Sequence, residues 1–313
     1  MIAGPGLPLV VDAVLDVAPD IRAFVLRHPS GDPLPSFVPG SHLPVFCGEG
    51  RINSYSLTGE SGAPETYAIS VHHRRDGRGG STFMHALRVG DRLACGLPRS
   101  AFAPVASARH HLMIAGGIGI TPFLSHLRAA RRWGRSASLL FAVREGAPVP
   151  HAAELDALCG DLRVLRGRAA MTAAVEAALV DQPLGTHLYV CGPEAMIDDV
   201  LERAARAGWP AERCHAERFG AVLPPGAPFE AILRRTGRRI AVPAEASLLD
   251  AVEAAGIPWP SLCRQGVCGE CRMEGVEGTI LHRDHYLSPA EREAGNCLMP
   301  CVSRGAGLIT LDL

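Results

Sequence analysis

The chain contains no lysine: all 31 of its basic residues are arginine. That absence excludes lysine Schiff-base and lysine general-base chemistry. Aromatic residues are also sparse, at 5% of the chain, and no apolar run reaches membrane-spanning length. The 31 basic residues meet 32 acidic ones, leaving a formal charge of -1. So even a balance sets up no global field toward nucleic acid or an anionic membrane, and neither is expected as a partner. Low-complexity tracts and internal repeats are missing too; 34 glycines and 25 prolines are scattered as loop punctuation. No secretory leader is read at the N-terminus, so a cytoplasmic, thiol-reducing location is expected and disulfides are not.

What the chain has is ten cysteines, three of them spaced Cys263-x4-Cys268-x2-Cys271, with Cys297 and Cys301 beyond. This is plant-type iron–sulfur spacing. A 2Fe-2S cluster needs four thiolates converging on two irons, so a loop carrying three must fold back on itself. Gly266 and Gly269 permit that, since residues without a Cβ accept positive φ and let backbone N–H groups approach the sulfides. Zinc fits less well, because structural zinc sites present two C-x2-C-like pairs rather than a wide and a tight gap in one loop. Either Cys297 or Cys301 can complete the set. Cys47, Cys95, Cys159 and Cys214 read as small buried hydrophobes.

At 313 residues and 47% hydrophobic, the chain suits two or three domains. Residues 1–104 alternate short β-patterned runs with turns: Ile21 to Leu26, Leu43 to Phe46, Tyr67 to Val71 and Asp91 to Ala94. They predict a small antiparallel barrel. From His111 to Phe219 the pattern becomes strand, glycine turn, helix and strand, with strands at His111 to Ala115, Ala137 to Val143 and His187 to Cys191. Helices are expected at Phe123 to Trp133 and Met171 to Leu179, giving βαβ units and a parallel sheet. The proline- and glycine-rich stretch Ala221 to Pro228 is the expected linker. A hairpin at Phe229 to Leu233 and Arg239 to Val242 and a helix at Leu248 to Ala255 then lead into the cysteine loop.

Gly116-Gly117-Ile118-Gly119-Ile120-Thr121-Pro122 follows an apolar strand and opens a helix. Its backbone N–H groups and helix dipole suit a pyrophosphate, although a merely tight connection has the same look. Cys191-Gly192-Pro193-Glu194-Ala195-Met196 repeats the strand-to-turn-to-helix change later in the sheet. Two such turns can line one crevice.

In Arg51 to Leu57, strand alternation puts Arg51, Asn53 and Tyr55 on one face and Ser54 and Ser56 on the other. A flat aromatic with polar neighbours can hold a planar ring, and an ordinary amphipathic strand reads the same way. Arg75-Asp-Gly-Arg78-Gly79-Gly80-Ser81-Thr82 leads into Phe83 to Leu87, predicting a glycine-rich loop, a Ser or Thr N-cap and a helix. That is either an anion site for a phosphate monoester or a simple helix cap.

Taken together and in order, these motifs resemble the phthalate dioxygenase reductase family, the flavin- and iron–sulfur-containing reductases of Rieske-type oxygenases. The resemblance spans nearly the whole chain: GRGGST, Leu97 to Arg99, GGIGITP, YVCGPEAM, Glu217-x-Phe219, the cysteine loop, His282 to Asp284, and CVSRG with LITLDL. It implies an antiparallel flavin-binding β-barrel over 1–104, an α/β parallel-sheet NAD(P)H-binding domain over 105–222 and a β-grasp 2Fe-2S ferredoxin domain over 223–313. It makes Cys301, in Cys301-Val-Ser-Arg304, the fourth ligand beside Cys263, Cys268 and Cys271, and leaves Cys297 a bystander.

The same resemblance distributes the remaining roles. Tyr55, Ser56 and Leu57 fall to the flavin ring, and Gly79, Gly80, Ser81 and Thr82 to the phosphate of FMN, with FAD as the alternative. Gly116, Gly117, Gly119, Pro122, Gly192, Pro193 and Met196 fall to the dinucleotide, Thr121 and Cys191 to its nicotinamide side, and Phe219 to the covered flavin face. NADH is the implied donor and NADPH the alternative. Arg144 and Glu145 pull that choice in opposite directions, since an arginine suits a 2′-phosphate and a carboxylate suits ribose hydroxyls. One position departs from the family: its flavin strand reads R-x-Y-S, where this chain has Asn53. Asn53 can donate a hydrogen bond but cannot neutralise a phosphate, so Arg51, Arg75 or Arg78 must supply the charge.

The implied function is that of an oxygenase reductase, passing electrons from NADH through flavin and cluster to a separate terminal oxygenase. The expected partner is a Rieske-type demethylase or hydroxylase, with a cytochrome P450 as the alternative and a stand-alone oxidoreductase as the other class. A monomer is expected. Arg264 and Gln265 mark the expected electron exit, and His282 to Asp284 a structural post near the cluster. No protein acid or base is required, and the thirteen histidines read as dispersed.

Overall fold

The apolar side chains at alternate positions of Thr66–His72, Tyr67, Ile69 and Val71, are buried inward and make this segment one stave of a curled sheet. The computed structural model describes residues 6–48, 51–77, 79–100, 102–219, 226–261, 266, 269–284 and 286–313. They belong to two compact units, Gly4–Phe219 and one containing Gly220–Leu313.

The first unit opens with β1 (Leu7–Ala18), β2 (Ile21–Arg27), β3 (Ser41–Phe46), β4 (Ile52–Ser56) and β5 (Thr66–His72). After α1 (Gly80–Ala86) come β6 (Arg92–Cys95) and β7 (Arg99–Ser100). The strands pair antiparallel in the order β4-β3-β6-β1-β2-β5, with β7 beside β3. A bridge between Leu57 and Ile69 joins the two ends, so the sheet closes into a barrel. Leu9, Phe24, Leu43, Tyr67 and Met84 fill it, each side chain contributing roughly 1.5–3 kcal/mol by leaving water. The strand expected from Asp91 starts one residue later, because the Asp91 carboxylate accepts the Arg88 N–H at 2.7 Å and closes the preceding turn.

The unit continues with β8 (His110–Gly116), α2 (Thr121–Arg132), β9 (Ser136–Val143), α3 (Ala152–Leu158), β10 (Asp161–Arg166), α4 (Arg168–Val180), β11 (Thr186–Gly192), α5 (Glu194–Arg206) and β12 (Cys214–Arg218). Strands β8 to β12 form one parallel sheet in the order β10-β9-β8-β11-β12. Six consecutive residues of β8 are buried, as expected of a central strand covered by helices on both faces. The order reverses between β8 and β11, so the crevice at their C-terminal ends is the ligand position of this architecture.

The second unit holds β13 (Phe229–Leu233), β14 (Arg238–Val242), α6 (Leu248–Ala254), β15 (Met273–Glu274), β16 (Glu277–Leu281), α7 (Pro289–Ala294), β17 (Cys297–Leu298) and β18 (Arg304–Leu311). A four-stranded sheet runs β14-β13-β18-β16, with β13 and β18 parallel, and a short ladder joins β15 to β17. Both helices start with a capping box, Ser247 with Asp250 and Ser288 with Glu291. Leu248 and Val252 of α6 pack with Phe229, Ile240 and Ile309 into the core of this ferredoxin-like fold.

Candidate functional site

At β4, Arg51 and Asn53 face the first turn of α1, and Tyr55 adjoins Asn53. The backbone of α1's first turn runs so close to β4 that a Cβ built on Gly80 would lie 2.2 Å from the Asn53 amide nitrogen. One built on Gly79 would lie 2.9 Å from an Arg51 guanidinium nitrogen. Asn53 in turn donates to the Tyr55 hydroxyl at 3.3 Å, so Arg51, Asn53 and Tyr55 share a face as the alternation predicts. Burial, then the neighbouring Cys47, pushes the Tyr55 phenol above its usual range. Ser56 is buried, and among the described residues nothing partners its hydroxyl. The face that sets Arg51, Asn53 and Tyr55 against a glycine turn fits a ligand with a polar ring and an anionic tail.

One expectation at this turn changes. The predicted Ser or Thr N-cap is not formed: Gly79, at φ +91°, caps α1, and the helix starts at Gly80. Ser81 instead accepts the Arg74 N–H at 3.0 Å, and the Thr82 hydroxyl lies 3.4 Å from His73, so both tie down the preceding loop. Arg75 faces Asp20 at 3.5 Å, and Leu57 is fully buried in the barrel. Arg78 lies outside the described residues.

His42 was not singled out from the sequence. It is cross-strand partner to both Ser56 and Arg99, and its Nε2 is buried without a described partner. Burial and then Arg99 depress its imidazole to about 4, so it is neutral at pH 7. Its sequence context, Ser41-His42-Leu43-Pro44, carried no hint of those partners.

The two glycine turns of the parallel sheet meet at the switch point. A Cβ on Gly119 would lie 2.4 Å from the Cys191 carbonyl oxygen, and one on Gly116 2.8 Å from the Met196 sulfur and from Pro193. Only glycine allows so close an approach of the two turns. Gly117 is exposed at the mouth, Pro122 stands in the first turn of α2, and Pro193 caps α5. Thr121 is buried, donating to the Ile118 carbonyl at 3.0 Å. Arg144 is exposed at the end of β9, where the Arg166 guanidinium donates to its carbonyl at 3.0 Å. Cys191 is fully buried, and burial, then Glu217, raises its thiol well above the usual range. Glu217 is its neighbour in β12; burial lifts this carboxyl to about 8 and leaves one oxygen without a described partner. Phe219 packs half-buried over the same cluster.

The histidines are less dispersed than expected. His111, Tyr189, His215 and His187 stack across β8, β11 and β12, with His126 edge-on to Tyr189. Burial depresses His111 and His215 to about 4 and His126 to about 3, so these rings are neutral packing elements.

In the second unit, Cys263, Cys268, Arg264 and Gln265 lie outside the described residues. Cys271 and Cys301 have their sulfurs 3.2 Å apart. Gly266 and Gly269 take positive φ, +72° and +78°. Side chains crowd both: a Cβ would meet Val302 at 2.5 Å and the Tyr286 ring at 2.3 Å, respectively. Asp284 pins this region. It accepts from the backbone N–H groups of Tyr286 and Leu287 at 3.2 and 2.8 Å and from Ser303 at 3.1 Å. Those bonds and Arg292 hold its carboxyl below the usual range although burial pushes it up. The structural role expected of His282 to Asp284 therefore rests on Asp284. Tyr286, half exposed against the cysteine loop, was not foreseen.

Comparison with known proteins matches residues 93–214 to the family described as dimethylamine monooxygenase subunit DmmA-like, N-terminal domain. Residues 232–304 match the 2Fe-2S iron-sulfur cluster binding domain. The chain is 40% identical to the heme-dependent oxidative N-demethylase beta subunit of Ectopseudomonas mendocina (strain ymp), over 98% of this chain and 99% of that one. The solved phthalate dioxygenase reductase, a modular structure for electron transfer from pyridine nucleotides to [2Fe-2S], superposes with TM-score 0.78 at 34% identity, covering 98% of both chains. An intact type IV self-sufficient cytochrome P450 monooxygenase matches with TM-score 0.79 and 32% identity over 98% of this chain, which spans only 41% of that protein. Among the described residues no helix is long and apolar enough to cross a membrane. The chain belongs to the phthalate dioxygenase reductase family, oxidoreductases built on flavin, pyridine nucleotide and a 2Fe-2S cluster that serve as reductase components of oxygenase systems.

Proposed function

We propose that the chain takes electrons from NADH, holds FMN on the β4 face and delivers electrons singly from a cluster on Cys263, Cys268, Cys271 and Cys301 to a separate oxygenase. The observation that carries this reading is the meeting of two glycine turns at the switch point, Gly119 against the Cys191 carbonyl, in the same unit as the barrel. When bound, the flavin supplies the conversion between a two-electron hydride donor and a one-electron carrier. The protein's task is placement. Arg51 supplies the charge for the flavin phosphate that Asn53 lacks, Ser56 offers its open hydroxyl to the ring edge, and Thr121 and Phe219 flank the nicotinamide position. The boundaries at 104 and 222 belong to the same proposal. The short Cys271–Cys301 approach supports Cys301, and not Cys297, as the fourth ligand.

For the acceptor, similarity to a heme-dependent oxidative N-demethylase subunit over nearly the whole chain favours a haem-containing N-demethylase as the separate partner. A Rieske-type oxygenase is the second reading, favoured by the match to phthalate dioxygenase reductase. Mixing the loaded reductase anaerobically with each class of oxygenase and NADH decides between them, by whether the haem band or the Rieske absorption bleaches. Turnover of an organic substrate by the isolated chain would contradict both.

A further inference from the structure

Helix α2 begins at Thr121 on the nucleotide turn and carries Ser125, Arg128 and Arg132 along the same face, at spacings of four, three and four. That face lies on the barrel. Ser125 accepts the Gly40 N–H at 2.9 Å, Arg128 donates to the Thr58 carbonyl at 3.2 Å, and Arg132 reaches Glu60 at 2.6 Å. Arg128 also pairs with Glu154 of α3, and Glu154 meets His151 Nδ1 at 2.9 Å. His151 Nε2 then returns to the barrel, 3.0 Å from the Ser70 hydroxyl on β5. Ala68, two residues before Ser70, receives the Thr58 N–H at 2.8 Å, so the circuit from Thr58 through Arg128, Glu154, His151 and Ser70 is closed.

The parts of this circuit are not surface decoration. Ser70 and Thr58 are buried, and the His151 side chain is 8% exposed. Burial pushes Glu154 up, but the bonds from His151 and Arg128 more than reverse it and hold the carboxylate charged. The carboxylate faces Nδ1 and the Ser70 hydroxyl faces Nε2, so both ring nitrogens are engaged. His151 adopts φ +58°, a left-handed conformation rare for a non-glycine residue. Such a conformation persists where the surroundings over-determine it.

We propose that His151 is a positioning residue: bridging Ser70 of the barrel to Glu154 and Arg128, it fixes α2, and hence the nicotinamide turn at Thr121, at hydride-transfer distance from the flavin strand. The proposal rests on the assignment of those two sites made above. Hydride transfer is sensitive to misplacement on the scale of an ångström, so loosening this circuit should slow the step without weakening nucleotide binding.

The test compares the full chain, loaded with flavin and cluster, with His151→Gly, which suits the positive φ, His151→Asn, which tolerates it and keeps a donor and an acceptor, and Arg128→Leu. Stopped-flow reduction by NADH should show the limiting rate of His151→Gly and Arg128→Leu lowered by about tenfold to a hundredfold, with the NADH dissociation constant within about twofold. The long-wavelength charge-transfer absorbance should weaken in parallel, and His151→Asn should recover most of the loss. In the flavin-free chain, hydrogen exchange should quicken at residues 152–158. A His151→Gly protein with the wild-type rate, band and exchange would overturn the proposal, as would a variant whose rate and affinity fall together with global unfolding. Failure of the wild-type chain to accept a hydride from NADH would overturn the site assignment instead.

Discussion

The sulfurs of Cys271 and Cys301 lie 3.2 Å apart although the residues are thirty positions apart in sequence. Neither is on a regular strand or helix, so the approach is imposed by turns: Trp259 donates its indole N–H to the Cys271 carbonyl at 3.0 Å, and Val302 and Ser303 fold back onto the Met299 carbonyl. Cys297, by contrast, sits in the β15–β17 ladder opposite Glu274.

That difference predicts opposite outcomes for two serine variants. Cys301→Ser should lose or shift the cluster's visible absorption and drop cytochrome c reduction to background, while NADH-to-ferricyanide activity stays within about twofold, since ferricyanide can take electrons before the cluster. Cys297→Ser should keep the spectrum and cost about 1–3 kcal/mol of stability for its buried hydroxyl. Spectra and both assays on the purified variants decide it; the reverse pattern makes Cys297 the ligand.

The proposed role of Arg51 at the flavin phosphate is tested against Arg75. Arg51 stands over Gly79, whereas Arg75 is turned to Asp20. Arg51→Ala should weaken FMN binding by about tenfold, the loss of one charge-assisted hydrogen bond, and Arg75→Ala should leave it within about twofold. Fluorescence quenching titrations of the apoprotein with FMN measure both.

At the switch point, Gly119→Ala places a methyl 2.4 Å from the Cys191 carbonyl, a backbone atom that cannot swing aside. The expected result is a loss of about 1–3 kcal/mol in stability and a marked rise in the KM for NADH. Gly117→Ala meets nothing within 4 Å and is strained only by its φ of +54°, so its cost should stay near 1 kcal/mol.

Glu217 gives a pH signature. Its folded-state value near 8 lies above its ordinary value of 4.5, so between those limits the folded chain holds a proton that the unfolded chain has lost. Stability from this group is therefore present at low pH and declines as pH rises toward 8. Glu217→Gln should flatten that decline, measured as the change in Tm between pH 5 and pH 8. The buried histidines act in the other direction. His111, His126 and His215, held neutral by burial, lower stability as pH falls from 6.5 toward 4.

Much of this was legible because the physics is local. Strands β8 and β9 read from the sequence as continuous apolar runs since both are covered on two faces. The hairpin of β13 and β14 shows its period of two. What stayed hidden depends on partners far along the chain. Nothing near His151 reveals that Ser70, 81 positions earlier, receives its imidazole. His42 lies near the start of β3, and only pairing with β4 and β7 sets it beside Ser56 and Arg99. The Ser81 and Thr82 hydroxyls were expected to cap α1; the glycine left-handed turn before them carries the chain into the helix instead and frees both to bind the 73–74 loop. Cysteine spacing likewise could not choose between Cys297 and Cys301, which differ in tertiary position and not in local pattern.

The central claim is that one polypeptide connects NADH to its own iron–sulfur centre by way of a flavin. Anaerobic titration of the chain, reconstituted with iron and sulfide and with or without FMN, by NADH under low-temperature EPR tests it most directly. The flavin-loaded protein should develop the signal of one reduced 2Fe-2S cluster per chain, and the flavin-free protein should remain silent. A cluster that NADH reduces equally well without flavin, or leaves oxidised with it, would contradict the account.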